Sequence, residues 1–242
     1  MSKILITGAT SGIGEALVHK YLKQGHNVIA CGRNTEKLAQ LTNHANSSQL
    51  STLAFDITNT DDTEQAIAQV EQVDIIILNA GDCQYIDDAI GFDNKLFQHI
   101  INTNLIAIGH LLHFLLPKVS KHGQVVLVSS SVTIVPLPRA EAYGASKAGL
   151  DYLANSLRID LAKNNIGVTL VHPGFVATPL TDKNTFDMPF KITSEDAAKR
   201  IYAGVAARKS YLHFPKRFTY LLKLIAMLPN PLWQRLVARS IR

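Results

Sequence analysis

At 242 residues and a net charge of +5, the chain is long enough for one sizeable hydrophobic core and cramped for two. Its two cysteines, Cys31 and Cys83, lie far apart with no C-x-x-C or metal-spaced partner, which excludes a disulfide framework and a zinc site and reads as two buried, reduced thiols. The positive charge is confined to the end: Arg208 to Arg242 hold eight Lys or Arg and no Asp or Glu, residues 1 to 207 carry −3, and no nucleic-acid surface is expected.

The chain enters at once on a β-branched apolar run, 3 to 7, with no charged and apolar leader before it, so export is not expected and the reading is cytoplasmic. A glycine-rich turn, Gly8-Ala9-Thr10-Ser11-Gly12-Ile13-Gly14, follows and leads into a helical pattern over 13 to 24. Glycines let the backbone approach a ligand closely, and the first-turn amides and positive dipole end of the helix favour an anion such as a pyrophosphate. The spacing G-x-x-x-G-x-G is neither the G-x-G-x-x-G fingerprint nor a Walker A loop; by itself it fits a tight turn without a ligand as well.

Further strand-like runs come at about 27 to 31, 50 to 54, 73 to 78, 124 to 129 and 166 to 172, with helical patterns at 35 to 45, 61 to 71, 94 to 120 and 140 to 163. Strand and helix in alternation predict an α/β single domain, a doubly wound parallel sheet covered on both faces. Ligands in such a sheet sit at the carboxyl ends of the strands, where Thr7-Gly8, Asn79, Ser130 and Pro173 all fall. The longest apolar run, Leu105 to Leu116, is broken by Gly109, His110 and His113 and reads as a core helix, since a span needs about 20 apolar residues.

Acid/base equipment stands in the second half. Tyr143 and Lys147 are four apart, on one helical face, and Ser130 lies thirteen positions upstream at the end of an apolar strand. A free phenol has a pKa near ~10, and a neighbouring cation favours its phenolate, so the pair can act as a tuned proton donor and acceptor. Ser129 and Ser131 are the nearest rivals of Ser130, and strand alternation would turn both to the opposite face.

Over residues 3 to 213 the chain resembles the short-chain dehydrogenase/reductase family, through several motifs in order. Thr7 to Gly14 is similar to its TGxxxGxG loop, Asp56-Ile57 to the acidic position beside the adenine, and Asn79-Ala80-Gly81 to its NAG element, although Leu78 stands where a first asparagine is common. Asn104 resembles the helix-borne catalytic asparagine, Ser130, Tyr143 and Lys147 the active-site triad, and Pro173-Gly174-x-Val176-x-Thr178 the segment beside the nicotinamide. The resemblance implies cofactor contacts from Gly8, Ser11, Gly12, Ile13, Gly14, Arg33, Asp56, Ile57, Asn79, Ala80, Gly81, Tyr143, Lys147, Pro173, Gly174, Val176 and Thr178, and no metal. It also implies the roles. Ser130 would hydrogen-bond the substrate oxygen, Tyr143 donate the proton, Lys147 lower the phenol pKa and hold the ribose, and Asn104 fix a water leading to solvent. A homodimer or homotetramer is implied with it.

Cofactor choice turns on the end of the second strand, where an acid binds the ribose 2′-hydroxyl of NAD and a base accommodates the 2′-phosphate of NADP. Gly32 occupies the acidic position and Arg33 follows with a fork suited to phosphate, so NADP is expected over NAD. Ser11 stands where some NADP enzymes carry a second base, which leaves discrimination incomplete.

His99, His110 and His113 share a helical pattern without acidic or cysteine partners at ligand spacing and read as structural. Asp61-Asp62 suits a helix N-terminus better than acid/base chemistry. Residues 1 to 207 form the expected Rossmann-like catalytic domain, with a substrate loop at about 175 to 193, and residues 208 to 242 a basic amphipathic extension of it. That extension could be a lid, a subunit contact or a peripheral membrane element. Two functions follow: an NADP-dependent oxidoreductase acting on a carbonyl or secondary alcohol of an apolar small molecule, or a dinucleotide-binding regulator or interaction protein that lost the chemistry. The complete Asn104, Ser130, Tyr143, Lys147 set favours the enzyme.

Overall fold

Runs of Ile, Val and Leu build seven parallel strands in the computed structural model, which describes residues 1–44, 48–184 and 186–240. They are β1 (Lys3–Thr7), β2 (Asn27–Gly32), β3 (Leu50–Ala54), β4 (Val73–Leu78), β5 (Val119–Val128), β6 (Gly167–Pro173) and β7 (Tyr211–Phe214), in the order β3-β2-β1-β4-β5-β6-β7. The direction of winding reverses between β1 and β4, so a crevice opens beyond their carboxyl ends.

Side-chain alternation divides the core in two. Leu5, Ile29, Ile76 and Leu127 face one way and pack with α3 (Thr60–Ala68), α5 (Ala107–Leu115) and α6 (Glu141–Leu161). Ile4, Val28, Ile77 and Val126 face the other and pack with α1 (Gly12–Lys23), α2 (Thr35–His44) and α7 (Ser194–Ala206). The structure is therefore the doubly wound, Rossmann-like single domain that the alternation predicts.

The helix expected over 94 to 120 is made of α4 (Asn94–Ile101), a π-helical turn at Asn102–Ile106, α5 and a short 3-10 turn. It is long and apolar enough to cross a membrane by composition, yet Ala107, Ile108, Leu111, Leu112 and Leu115 are spent in the core. Two elements went unpredicted. Helix α7 buries chiefly small residues, Ala197, Ala198 and Gly204 among them, which leaves a faint apolar stripe; β7 is a four-residue edge strand containing His213. Strand β7 lies past residue 207, so the sheet continues into what the charge pattern sets apart as the extension.

After β7 come α8 (Lys216–Ile225) and α9 (Asn230–Ser240). Phe218 and Leu222 of α8 are buried with Val135, and Ile225 and Trp233 join them, whereas Leu221 and Leu224 point outward. Ala45 of the second expected helix, Thr185 of the 175 to 193 loop and the last two residues of the extension lie outside the described residues.

Candidate active site

The glycine turn after β1 folds back on itself. Gly8 and Gly12 have φ of 65° and 55°, which L side chains adopt only at a cost. A Cβ on Gly14 would stand 2.0 Å from the Gly8 carbonyl oxygen and 2.7 Å from Asn79 Nδ2. Asn79 binds the turn: its Nδ2 donates to the Thr7 carbonyl at 3.1 Å, and the Asn79 and Ala80 amides donate to Thr7 Oγ1 at 3.1 Å. Ser11 caps α1 without a side-chain bond, leaving the first-turn amides directed at an anion. Gly14→Ala is accordingly expected to abolish measurable NADPH binding by fluorescence titration and to lower the melting temperature, because backbone atoms cannot yield as a flexible side chain can. Unchanged affinity would show that the turn does not seat the cofactor.

A cleft of about 780 Å³ runs from this turn in two directions. One end holds Arg33 and Asp56, with Arg33 Nη1 3.5 Å from Asp56 Oδ2. Burial pushes the Asp56 carboxyl up, but hydrogen bonds from Thr58, 2.9 Å from its amide and 2.8 Å from its hydroxyl, together with Arg33, hold it below the usual carboxylate range. Gly32 lies under Thr10, whose Cγ2 would be 2.7 Å from any Cβ there.

At the other end are Ser130, Tyr143 and Lys147. Strand β5 stops at Val128, so it does not continue far enough for alternation to sort the three serines. Ser129 Oγ donates to the Lys147 carbonyl, Ser131 is buried in a 3-10 turn, and the Ser130 hydroxyl accepts from the Val132 amide and stands near enough to the Tyr143 phenol to favour its ionised form. Lys147 is buried, its Nζ donates to the Val128 carbonyl at 2.9 Å, and it stands 5.9 Å from the Tyr143 ring centre. Burial lowers Lys147 to about 8, although Cys83 and Asp151 favour its charge. Burial, then Cys83, raises the Tyr143 phenol, Ser130 opposing. The lowered phenol expected from the Tyr143 and Lys147 spacing is therefore not what this geometry gives: desolvation outweighs the ammonium.

Asn104 is fully buried in the π-helical turn. Its Oδ1 accepts from the Asp82 amide and its Nδ2 donates to the Asp82 carbonyl, both at 2.8 Å, and to Ser146 Oγ at 3.0 Å. The side chain thus clamps the segment after Gly81 onto α6.

Every expected cofactor residue lines the cleft except Gly14, which shapes the turn from behind. Sequence reasoning missed Asp82, Cys83 and His99. His99 Nε2 is 2.9 Å from Asp82 Oδ2 at the cleft wall, so the histidine read as unpartnered does have an acid, supplied by a loop no helical spacing could have revealed. Cys83 is only partly buried and lies near both Tyr143 and Lys147, which corrects its reading as a buried thiol. His110 bonds Thr60 and Asn59 caps α3 ahead of Asp61-Asp62, both structural as expected. Among the described residues no group of three metal-binding side chains occurs.

Tyr85, which lies near Cys83 and Tyr143, begins an aromatic chain. Its ring meets Phe186 at 5.6 Å, Phe186 meets Phe175 at 6.0 Å, and Phe175 meets Phe218 of α8 at 5.3 Å. The loop at 175 to 193 and α8 are therefore joined by one aromatic cluster.

A family model of short chain dehydrogenases matches residues 2–189. Serine 3-dehydrogenase of Agrobacterium fabrum is 35% identical, over 87% of this chain and 90% of its own. The 3-oxoacyl-[acyl-carrier-protein] reductase of Rickettsia bellii is likewise 35% identical, over 86% and 90%. A closed serine dehydrogenase complexed with NADP+ superposes with a TM-score of 0.80 at 26% identity, covering 88% of this chain and 94% of that one.

Proposed function

The chain belongs to the short-chain dehydrogenase family, and we propose that it is an NADP-dependent oxidoreductase acting on a carbonyl or secondary alcohol of an apolar small molecule, with Tyr143 as the acid/base. The observation that carries this reading is the convergence of Ser130, Tyr143 and Lys147 at one end of a cleft whose other end holds Arg33. A dinucleotide fits the cradle, because any Cβ at Gly14 would fill the turn and a Cβ at Gly12 would meet Thr178 Cγ2 at 2.8 Å. The amides of α1 would hold its pyrophosphate, Arg33 its 2′-phosphate and Lys147 its nicotinamide ribose. When bound, the cofactor supplies or accepts hydride.

The protein groups handle the proton and the charge. Ser130 donates to the substrate oxygen and steadies the negative charge that develops there. Tyr143 Oη gives that oxygen its proton; raised by burial, the phenol is protonated at neutral pH and so present as the donor. The Lys147 ammonium stabilises the phenolate that remains. Alcohol oxidation uses the same groups in reverse. Asn104 keeps the Gly81 to Asp82 backbone and Ser146 in place, and so acts on the reaction through position.

For NADP over NAD, the support is Arg33 together with Thr10, which occupies the space an acidic side chain at position 32 would need. For an apolar substrate, it is the aromatic cluster from Tyr85 to Phe218, which neighbours the catalytic end through Tyr85 and Tyr143. Serine and an acyl thioester, which the relatives' names indicate, are the alternatives. The test follows NADPH absorbance with apolar ketones, aldehydes, quinones and a 3-oxoacyl thioester, and NADP+ reduction with serine. Turnover fastest on the apolar carbonyls is expected. Turnover of serine alone would refute the substrate class, and tight NADPH binding without turnover of any compound would favour the binding-only regulator.

A further inference from the structure

The outer surface of the two C-terminal helices is the largest feature that the oxidoreductase reading leaves unused. Their inner sides are fixed to the domain. Phe218 and Leu222 are buried against Val135, and Trp233 Nε1 donates to the Pro136 carbonyl at 2.9 Å. Their orientation relative to the sheet is thereby set, and with it the direction in which the opposite side looks.

That opposite side is apolar and open. Leu224 is 64% and Met227 81% exposed, and Tyr220, Leu221, Leu232 and Leu236 are each exposed by more than two fifths. Single exposed apolar residues are ordinary on protein surfaces, but six large ones on 25 successive residues are not. Lys216 and Lys223 turn to β7, Lys216 Nζ 2.9 Å from His213 Nε2 and Lys223 Nζ 4.6 Å over the Tyr211 ring, while Arg217 and Arg235 are exposed, and residues 215 to 240 contain no carboxylate.

We infer that α8 and α9 form a peripheral docking face for an anionic bilayer. Exposed apolar side chains and exposed arginines on the same two helices match both layers of such a surface, acyl chains below and phosphates at the rim. Charge argues against the obvious rival. A second copy on the same face would set cation against cation with no acid to balance it, whereas the rest of the chain, at −3, offers no comparable attraction to lipid. The docked helices therefore account for the local excess of positive charge. This surface is separate from the catalytic groups, so the inference stands or falls independently of the reaction.

The experiment is co-sedimentation of the full chain with vesicles of phosphatidylcholine and phosphatidylglycerol in equal parts, compared with phosphatidylcholine alone. At low ionic strength the bound fraction should be several-fold larger on the anionic vesicles, and about 0.5 M salt should reduce it, since screening shortens the reach of exposed charge. The double variant Leu224→Asp, Met227→Asp should lose binding roughly tenfold, because it removes two interfacial anchors and adds repulsion. Arg217→Gln, Arg235→Gln should weaken anionic binding alone and keep the apolar face. NADPH affinity and melting temperature, measured on each variant, confirm that the fold is retained. Absence of sedimentation at low salt, equal binding to neutral vesicles, or binding unaffected by Leu224→Asp, Met227→Asp would overturn the inference. So would a size-exclusion measurement in which that variant converts an oligomer to monomers, because a second copy would then cover the face.

Discussion

Tyr143→Phe should leave NADPH binding within about twofold of wild type while turnover falls by about 10² or more, the range that general acid/base groups contribute. Such a factor corresponds to about 2.7 kcal/mol of transition-state stabilisation. The substitution removes one oxygen and keeps the ring, so packing around the partly buried residue survives. What is lost is the proton donor and the hydroxyl that stands beside Ser130. Ser130 and the buried Lys147 remain, and they keep a residual rate by stabilising charge on the substrate oxygen.

The pH profile separates the two partners. Lys147 titrates at about 8, lowered by burial. Its ammonium is present below that value and lost above it. Wild-type carbonyl reduction is therefore expected to decline as pH rises past about 8, measured as kcat/KM, while the raised Tyr143 phenol stays protonated throughout that window. A rate that climbs through pH 8 to 10 would mean that Lys147 does not act as a cation. A near-normal rate in Tyr143→Phe would remove the phenol from the chemistry altogether.

The parts of this site that could be read from sequence are those fixed by local rules. A strand, a glycine turn and a helix in succession specify the anion seat, since its geometry is backbone geometry. Spacing on one helix placed Tyr143 and Lys147 together, and strand ends placed Ser130 and Asn79 beside them. What stayed hidden depends on contacts between segments. The pairing of His99 with Asp82 crosses from α4 to the loop after β4, and no periodicity encodes it. The sign of the Tyr143 shift was missed for the same reason: spacing reports a neighbouring charge but not how much water the fold removes.

Asn104 shows a third kind of limit. Its residue type and helical position were legible, but its partners were not. The π-helical turn at Asn102–Ile106 draws the side chain inward to Asp82 and Ser146, and inserted residues of this kind leave no pattern in a helix of ordinary composition. Likewise α7 escaped notice because it packs through Ala and Gly, and the C-terminal helices were ambiguous because both of their sides carry apolar residues. Only the fold shows that Phe218 and Leu222 face in while Leu224 and Met227 face out.

Arg33→Asp is expected to raise the dissociation constant of NADPH by about 10² and that of NADH by no more than about threefold. The side chain is 73% exposed, and its ion pair with Asp56 spans 3.5 Å, so the pair contributes only about 0 to 1 kcal/mol to stability and its loss leaves the fold intact. Toward a 2′-phosphate the balance differs. Hydrogen bonds to a charged group contribute about 1.5 to 3 kcal/mol, and an aspartate both removes them and adds a second carboxylate next to Asp56, repelling the phosphate. NADH carries a 2′-hydroxyl there, which an aspartate can accept from. Arg33→Ala should fall between, since it deletes the cation without adding an anion. The measurement is titration of each reduced cofactor by fluorescence, at one fixed ionic strength because the phosphate contact is screened by salt. Equal losses for both cofactors, or a wild type that already binds NADH more tightly, would show that Arg33 is a surface residue of the strand end and that selectivity lies elsewhere in the cleft.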